Sequence, residues 1–337
     1  MNVQAAHFDF ERPASLAVLT ALLDKLSAQG RNYALAAGST DLMPQIKRGV
    51  KVPEVVVSLN GLAELAGIEA RDDGSVRIGA LTRLVDVAGS PLLRQHYPAL
   101  AQAAGRVASP PIRQRATLGG NLLVDNRCSY INQSPINRAA HAACFKAGGE
   151  VCHIVKSAVR GELPQCQARF VSDTAPVLLL LDAVLTLVSP RGERRLPLAD
   201  FYRDDGIERH HLATDEVLAA IELPAPDGRR IDYDKLAIRR ALDFPSLGIA
   251  LGVREDAAGA VSELSVAMTG VGTHPGQWRF SATEHASAQA MLDAACAAAR
   301  EFASTYQQDF FPRDYRKRMI EVFIRKAAQR LGGDAWK

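Results

Sequence analysis

The stretch Tyr33–Asp41, YALAAGSTD, joins an apolar run to a glycine and three small polar residues. The run Tyr33–Ala37 is typical of a short strand, and residues 39–41 are typical of the start of a helix. A glycine at such a junction lets the backbone approach a ligand, and the free N–H groups there favour an anion such as a pyrophosphate. A glycine turn with an ordinary helix cap explains the same residues.

A second glycine loop, Ala116–Asn121 (ATLGGN), is predicted to contain a short strand and a tight turn. Paired glycines permit positive φ angles and leave N–H groups exposed, as a flat ligand against the backbone requires. Its simpler interpretation is a tight connection between strands. Neither loop is a G-x-G-x-x-G or Walker sequence, but two such loops together favour a dinucleotide-like cofactor.

The sequence around these loops alternates helical and strand patterns, which predicts an α/β unit. Ser15 is placed to cap a helix with a leucine stripe. Further expected elements are a strand at Val52–Leu59, a hairpin in Arg71–Ala80, a helix at Ala175–Leu181 and a hairpin from Val184–Val188 and Arg194–Leu198.

A change of pattern at Ile221–Gly228 predicts a domain boundary. Beyond it we expect three strands, Asp232–Ile238, Ser246–Arg254 and Ser262–Thr269, followed by two helices. The predicted domains are therefore residues 1–225, with an insertion at 122–171, and residues 226–337.

Four of the five cysteines, Cys128, Cys144, Cys152 and Cys166, fall within 39 residues of a 337-residue chain. In a reducing compartment such crowding indicates a metal rather than disulfides. No C-x-x-C pair is present, which weakens the case for structural zinc. From spacing alone an iron-sulfur cluster, a zinc ion and unligated thiols all remain open, with His141 or His153 as a substitute ligand. Cys296 lies in an alanine-rich stretch and is interpreted as a buried hydrophobe.

Composition excludes several functional classes. The net charge of +3 is spread thinly, so no nucleic-acid partner is expected. The longest apolar run, Ala175–Val188, has 14 positions and contains Asp182, whereas a membrane span needs about 20 apolar residues. No secretory signal pattern is present at the N-terminus. We therefore expect a cytoplasmic protein that does not enter the membrane.

Several motifs, taken in order, resemble the FAD-binding middle subunits of the molybdenum hydroxylases, the xanthine and carbon monoxide dehydrogenase group. They are the Gly38–Asp41 loop, Ala116–Asn121, Ser172-Asp173, Asp215-Glu216-Val217-Leu218, Lys235 with Arg239, and Asp314–Arg318. The resemblance covers nearly the whole chain. It implies an α+β protein: a two-lobed α/β FAD-binding domain of the xanthine dehydrogenase type with an iron-sulfur loop insertion, plus a C-terminal three-stranded antiparallel sheet with helices.

The same resemblance implies a set of FAD-binding residues. The pyrophosphate is expected against Ala34, Leu35, Ala36, Ala37, Gly38, Ser39, Thr40 and Asp41, and the flavin side near Thr117, Gly120 and Asn121. Asp173 and Lys235 are expected at polar parts of the cofactor, and Leu218 at the ring. A carboxylate suits ribose hydroxyls, and a lysine suits a phosphate or an anionic reduced flavin.

The cysteine segment resembles the extra loop of the 4-hydroxybenzoyl-CoA reductase β-subunits, which carries a [4Fe-4S] cluster. This likeness implies Cys128, Cys144, Cys152 and Cys166 as cluster ligands. It also implies a subunit that is inactive alone and passes electrons between a ferredoxin-like carrier, a small [2Fe-2S] subunit and a large molybdenum-cofactor subunit. The expected reaction is then reductive removal of a phenolic hydroxyl from an aromatic acyl-CoA.

Two other functions are compatible with the sequence. One is the flavin subunit of an oxidative molybdenum hydroxylase for an aldehyde or N-heterocycle, with the same cluster loop and electrons leaving outward. The other is a zinc-stabilised α/β binding module without a redox role. Flavin and iron absorbance would distinguish the first class from the second.

Overall fold

The computed structural model describes residues 7–155, 166–239, 242–304, 306–307, 310–332 and 336. Residues 156–165 of the predicted insertion lie outside the described residues.

The described residues form twelve strands in three sheets. The strands are β1 (Asp9–Glu11), β2 (Tyr33–Ala36), β3 (Val55–Ser58), β4 (Ile68–Ala70), β5 (Val76–Gly79), β6 (Val184–Ser189), β7 (Gly192–Pro197), β8 (Val217–Leu223), β9 (Arg230–Leu236), β10 (Leu247–Glu255), β11 (Val261–Thr269) and β12 (Gly276–Ser281). The α-helices are α1 (Leu16–Ala28), α2 (Leu42–Lys47), α3 (Leu84–Gly89), α4 (Pro91–His96), α5 (Pro98–Gly105), α6 (Pro110–Arg113), α7 (Leu118–Leu122), α8 (Pro135–Ala139), α9 (Ala175–Leu180), α10 (Ala288–Phe302) and α11 (Arg313–Gly332).

The first sheet is parallel, with strand order β1-β3-β2. Ser15 caps α1 as predicted, because its hydroxyl accepts a hydrogen bond from the N–H of Val18. Leu19 and Leu23 on the apolar stripe of α1 are fully buried against Val55 and other residues of β3. The loop between β2 and α2 lies at the carboxyl end of its strand, which is where α/β sheets bind ligands.

The second sheet has five antiparallel strands in the order β4-β5-β8-β6-β7. The strand β8 is buried along its whole length at the centre of this sheet. Its core continues through helices α5 and α9 to residues of the third sheet, including Tyr233 and Ala250. The expected helix at Ala175–Leu181 and both hairpins are present.

The third sheet has four antiparallel strands, in the order β12-β11-β10-β9, so the expectation of three strands was wrong. The fourth strand, Gly276–Ser281 (GQWRFS), lies at an edge and has mixed burial. It lacks the run of β-branched residues that marks a central strand, which is why the sequence pattern did not reveal it. Helices α10 and α11 cover the sheet and bury Ile320 and Ile324.

The ATLGGN loop also differs from expectation. Instead of a short strand and turn, Leu118–Leu122 form α7, with Thr117 at its N-cap. The Thr117 hydroxyl accepts a hydrogen bond from the N–H of Gly120 at 3.1 Å, which satisfies a donor of the first turn. Among the described residues, no helix is both long and apolar enough to cross a membrane.

Candidate functional site

The two glycine loops identified from the sequence touch each other. A Cβ atom built on Gly38 would overlap the carbonyl oxygen of Arg115, so only glycine fits at this position. Ser39 has a φ angle of 59°, which turns the backbone sharply after the glycine. Within the described residues, the N–H groups of Gly38, Ser39 and Thr40 donate no hydrogen bond. Three unpaired donors in one loop next to the Arg115 backbone are suited to bind a phosphate group.

The second loop is held from both sides. A Cβ atom on Gly119 would lie 2.7 Å from that of Ala80, and the Gly119 N–H donates to the Ala80 carbonyl at 2.9 Å. The buried Asn121 carboxamide oxygen accepts hydrogen bonds from the hydroxyls of Ser172 (2.8 Å) and Thr174 (2.7 Å). The motif Ser172-Asp173 is therefore tied directly to the ATLGGN loop.

Asp173 and Lys235, both expected at the cofactor, are paired with each other. The Lys235 ammonium lies 3.0 Å from the Asp173 carboxylate, and both side chains are buried. The Tyr233 hydroxyl donates to the same carboxylate at 2.8 Å. Burial raises the pKa of Asp173, and the charge of Lys235 opposes this. Each residue therefore has a protein partner, and its direct contact with FAD stays a prediction.

The remaining predicted flavin-site residues lie on two sheets. Ala34, Leu35 and Ala36 belong to β2, next to Val56–Ser58 of β3. Leu218 is buried in the core of the five-stranded sheet, opposite Leu187. The same core contains Leu118 and Leu122 of α7. The structure thus brings Leu218 beneath the second loop, with its side chain in the core.

An open cleft of about 560 Å³ lies beside the second loop. Its lining includes Thr117, Arg115, Arg83 and Asn60. Arg83 is neutralised by Asp86 at 2.7 Å. The exposed Arg115 makes no ion pair with another described residue, so its charge is free to meet an anion. Sequence reasoning missed Arg115, although it stands directly before the ATLGGN motif.

All four clustered cysteines line one small pocket. Cys128, Cys144, Cys152 and Cys166 surround a small hollow of about 20 Å³. Lys146 and His153 also line it. Cys296 is elsewhere, buried in α10 under the third sheet, as expected for a small hydrophobe. The tertiary structure thus gathers these four thiols and leaves the fifth apart.

Burial in this cysteine pocket disfavours the thiolate form of two of its cysteines. Burial raises the pKa of Cys166 to about 12 and raises that of Cys128 as well. A metal would deprotonate such thiols outright. Among the described residues, no three or more His, Cys, Asp or Glu side chains have the close spacing that a single metal ion requires.

The histidines near the cysteines form an aromatic group on the outer side of the pocket. The rings of His153 and Tyr130 have centroids 4.1 Å apart, and His141 lies 5.7 Å from His153. His153 Nε2 is within 2.7 Å of the Ala142 carbonyl oxygen, so this nitrogen is already hydrogen-bonded.

The cysteine segment is docked on the first glycine loop. Arg127, which precedes Cys128, forms an ion pair with Asp41 at the start of α2. Its guanidinium also lies 4.5 Å from the centre of the Phe244 ring. Burial, helped by the charges of Arg169 and Arg209, lowers the pKa of Arg127 to about 10. A buried cation between two candidate sites ties their positions together.

A second arginine of the insertion reaches the other end of α2. The Arg138 guanidinium donates to the carbonyl oxygens of Arg48 at 2.7 Å and Gly49 at 3.1 Å. Ile131 and Tyr130 pack with Val50 just beyond this helix. Both ends of α2 are therefore held by residues of the insertion.

The Asp215-Glu216 motif has a structural role. Arg191 in the β6–β7 turn pairs with Asp215, and Arg194 pairs with Glu216 at 2.6 Å. The Arg194 hydrogen bond is the main cause of a lowered Glu216 pKa. These pairs fix the start of β8, which carries Leu218.

Comparison with known proteins agrees with this architecture. The family model described as FAD binding domain in molybdopterin dehydrogenase matches residues 6–226. The aldehyde oxidoreductase FAD-binding subunit PaoB of Escherichia coli K12 is 34% identical over 277 residues, which is 79% of this chain and 84% of that protein. The carbon monoxide dehydrogenase medium chain of Afipia carboxidovorans is 28% identical, over 96% of both chains.

A solved structure shows the same fold. Quinoline 2-oxidoreductase from Pseudomonas putida 86 superposes with a TM-score of 0.72 at 19% identity, covering 98% of this chain and 99% of that chain. With the matched family model spanning most of the chain, the protein belongs to the molybdopterin dehydrogenase FAD-binding family and is the flavin subunit of a molybdenum-containing oxidoreductase.

Proposed function

We propose that this chain is the FAD- and [4Fe-4S]-carrying electron-transfer subunit of a molybdenum hydroxylase that oxidises an aldehyde. The observation that carries this proposal is the Arg127–Asp41 ion pair, which docks the cysteine segment on the predicted pyrophosphate loop. The ion pair holds the cysteine segment against the loop assigned to FAD, and a relay requires its two carriers to be near each other. An aldehyde oxidase of this kind is the oxidative alternative given above, and it takes the place of the reductive dehydroxylation of an aromatic acyl-CoA.

The FAD site is assigned to the contact between the two glycine loops. The unpaired N–H groups of Gly38, Ser39 and Thr40 are suited to bind the phosphate oxygens of the cofactor. Arg115 supplies a positive charge at the edge of the adjoining cleft. Asn121 accepts hydrogen bonds from Ser172 and Thr174, the chain neighbours of Asp173, so the buried Asp173–Lys235 pair helps to position this site in addition to any contact with FAD.

The cluster is assigned to Cys128, Cys144, Cys152 and Cys166. Four thiolates are the ligand set of a [4Fe-4S] cluster, and these four line one pocket without the close spacing of a single-ion site. The thiols that burial now holds protonated would ionise on binding iron. The zinc alternative fits this spacing less well.

When bound, FAD supplies two-electron chemistry and the cluster supplies one-electron transfer. The chain itself has the task of holding both groups in fixed relation. We expect a large molybdenum-cofactor subunit to bind the organic substrate and a small [2Fe-2S] subunit to connect it to this chain. A ferredoxin-like protein is the expected external carrier.

The choice of an aldehyde rests on the relatives. A FAD-binding subunit of an aldehyde oxidoreductase is 34% identical over most of both chains. The reductive reading rests on the likeness of the cysteine segment alone. The same segment suits either direction of electron flow, because a cluster exchanges single electrons both ways.

The test is anaerobic purification of the full-length chain with its partners, followed by analysis of flavin, iron and molybdenum. We expect one FAD per chain, about four irons per chain in addition to the iron of the small [2Fe-2S] subunit, and oxidation of aromatic or aliphatic aldehydes by the complex. Serine at any of the four pocket cysteines should lower the iron content, whereas Cys296→Ser should not. Zinc in place of iron would refute the cluster, and reductive removal of a phenolic hydroxyl from an aromatic acyl-CoA without aldehyde oxidation would restore the reductive interpretation.

A further inference from the structure

A group of charged side chains lies directly behind the cysteine pocket. Lys146 and Arg209 both pair with one oxygen of Asp125, at 2.7 and 3.2 Å. The side chains of Lys146 and Asp125 are 11% and 7% exposed, so this group is screened from solvent. Charges in such a place act over longer distances than charges at the surface.

Lys146 is both a member of this group and part of the pocket wall. Its ammonium donates to Asp125 at 2.7 Å, to the Asn126 carbonyl at 3.3 Å and to the Gly206 carbonyl at 2.9 Å. Three acceptors leave the lysine no freedom to turn towards solvent. Its positive charge is therefore fixed beside the hollow between the cysteines.

Gly206 connects this lysine to one of the cysteines. The Gly206 N–H donates to the Cys166 carbonyl at 2.8 Å. A Cβ atom at residue 206 would lie 2.8 Å from the Cys166 sulfur. The residue that accepts from Lys146 thus touches a proposed cluster ligand.

Positive charge exceeds negative charge in this group. Lys51 joins Lys146 and Arg209 around the single carboxylate of Asp125, and the pKa of Lys51 is lowered, mainly by burial and further by the other two cations. Excess charge of one sign inside a protein is unfavourable unless an opposite charge compensates it. An iron-sulfur core bound by four thiolates carries a net negative charge, and in the adjoining pocket it would supply that compensation.

We propose that Lys146 is an electrostatic tuning residue that raises the reduction potential of the cluster in the cysteine pocket. This inference rests on the proposed function, because it assumes that the pocket holds the cluster. Reduction adds one negative charge to the site, and a fixed positive charge nearby stabilises the reduced form more than the oxidised form. Asp125 acts in the opposite direction, since it offsets part of the positive charge.

The test is an anaerobic redox titration of the full-length chain in its complex. The reduced cluster is detected at each potential by its electron paramagnetic resonance signal. Lys146→Met should make cluster reduction about tenfold less favourable, a decrease of ~59 mV in midpoint potential for one electron. Lys146→Arg should retain most of the wild-type potential. Asp125→Asn should shift the potential upward. Lys326→Met, which removes an exposed charge on α11, is the matched control and should have no effect.

Opposite shifts for Lys146→Met and Asp125→Asn would support an electrostatic role, because a general loosening of the pocket would not change sign with the charge removed. An iron-loaded Lys146→Met protein with unchanged potential would overturn the tuning role and leave the cluster assignment intact. A wild-type protein without iron would overturn the cluster assignment and the tuning role together.

Discussion

Gly38 lies against the carbonyl group of Arg115, so close that a side chain at residue 38 would overlap the carbonyl oxygen. This contact joins two loops that are 77 positions apart in sequence. It brings the unpaired N–H groups of the first loop next to the backbone of Arg115, whose side chain lines the adjoining cleft. The FAD site that we propose depends on this close approach.

Even the smallest side chain at residue 38 should separate the loops. We expect Gly38→Ala to lower the FAD content of the purified chain to less than about a tenth, since the added carbon must displace the Arg115 backbone. The matched control is Gly89→Ala, because a Cβ atom at residue 89 meets nothing within 4 Å. Flavin is measured by absorbance per chain after gel filtration. Full flavin in Gly38→Ala would remove this contact from the site.

Loss of the Arg127 charge should affect both proposed cofactors. Arg127→Met leaves Asp41 without its ion pair and removes the contact with Phe244. We expect FAD binding to weaken about tenfold, as for the truncation of a partly buried charge pair, and the iron content to fall as well. Arg318→Met on the exposed side of α11 is the control. An Arg127→Met variant with normal flavin and normal iron content would show that the Arg127–Asp41 ion pair is not needed for binding either cofactor.

The buried pair of Asp173 and Lys235 should be a strong stability determinant. Lys235→Met leaves a buried carboxylate without its cation, and we expect the free energy of unfolding to fall by about 3–5 kcal/mol in urea titrations. The double variant Asp173→Asn with Lys235→Met should recover part of this loss.

The pH dependence of the stability of Lys235→Met has a definite sign. Burial raises the pKa of Asp173 in the folded protein, so the carboxyl group stabilises the fold when protonated and loses this contribution as pH rises. Lys235→Met should therefore come closer to the wild type in acid than at neutral pH. A difference in unfolding free energy between the wild type and Lys235→Met that stays constant with pH would argue against an isolated buried carboxylate.

The Glu216–Arg194 pair should have the opposite pH dependence. The Arg194 hydrogen bond lowers the pKa of Glu216 in the folded protein. The stabilisation of the fold by this pair is therefore complete above the ordinary glutamate pKa and is lost as pH falls through the lowered value. Glu216→Gln should be less stable than the wild type at neutral pH, and the difference should shrink in acid. Glu284→Gln, at an exposed position, is the control for thermal unfolding measured across pH.

The sequence by itself determined the local elements and the chemical character of the chain. Ser15 and the leucine stripe of α1 are a local pattern, because a cap and a helical period involve residues only a few positions apart. The glycine loops and the crowding of four cysteines were readable for the same reason. The edge strand Gly276–Ser281 was missed, because its residues do not carry a strand pattern and its partner β11 supplies the hydrogen bonds.

Only the tertiary structure decided which of these residues meet. Gly38 touches Arg115, Asp173 pairs with Lys235, and Arg127 pairs with Asp41, at separations of 62 to 86 residues. Such contacts depend on how the three sheets pack together, and that packing follows from burying the whole apolar surface rather than from any local period. The residue types therefore indicated the chemistry, and the packing of the core determined which of these residues lie next to one another.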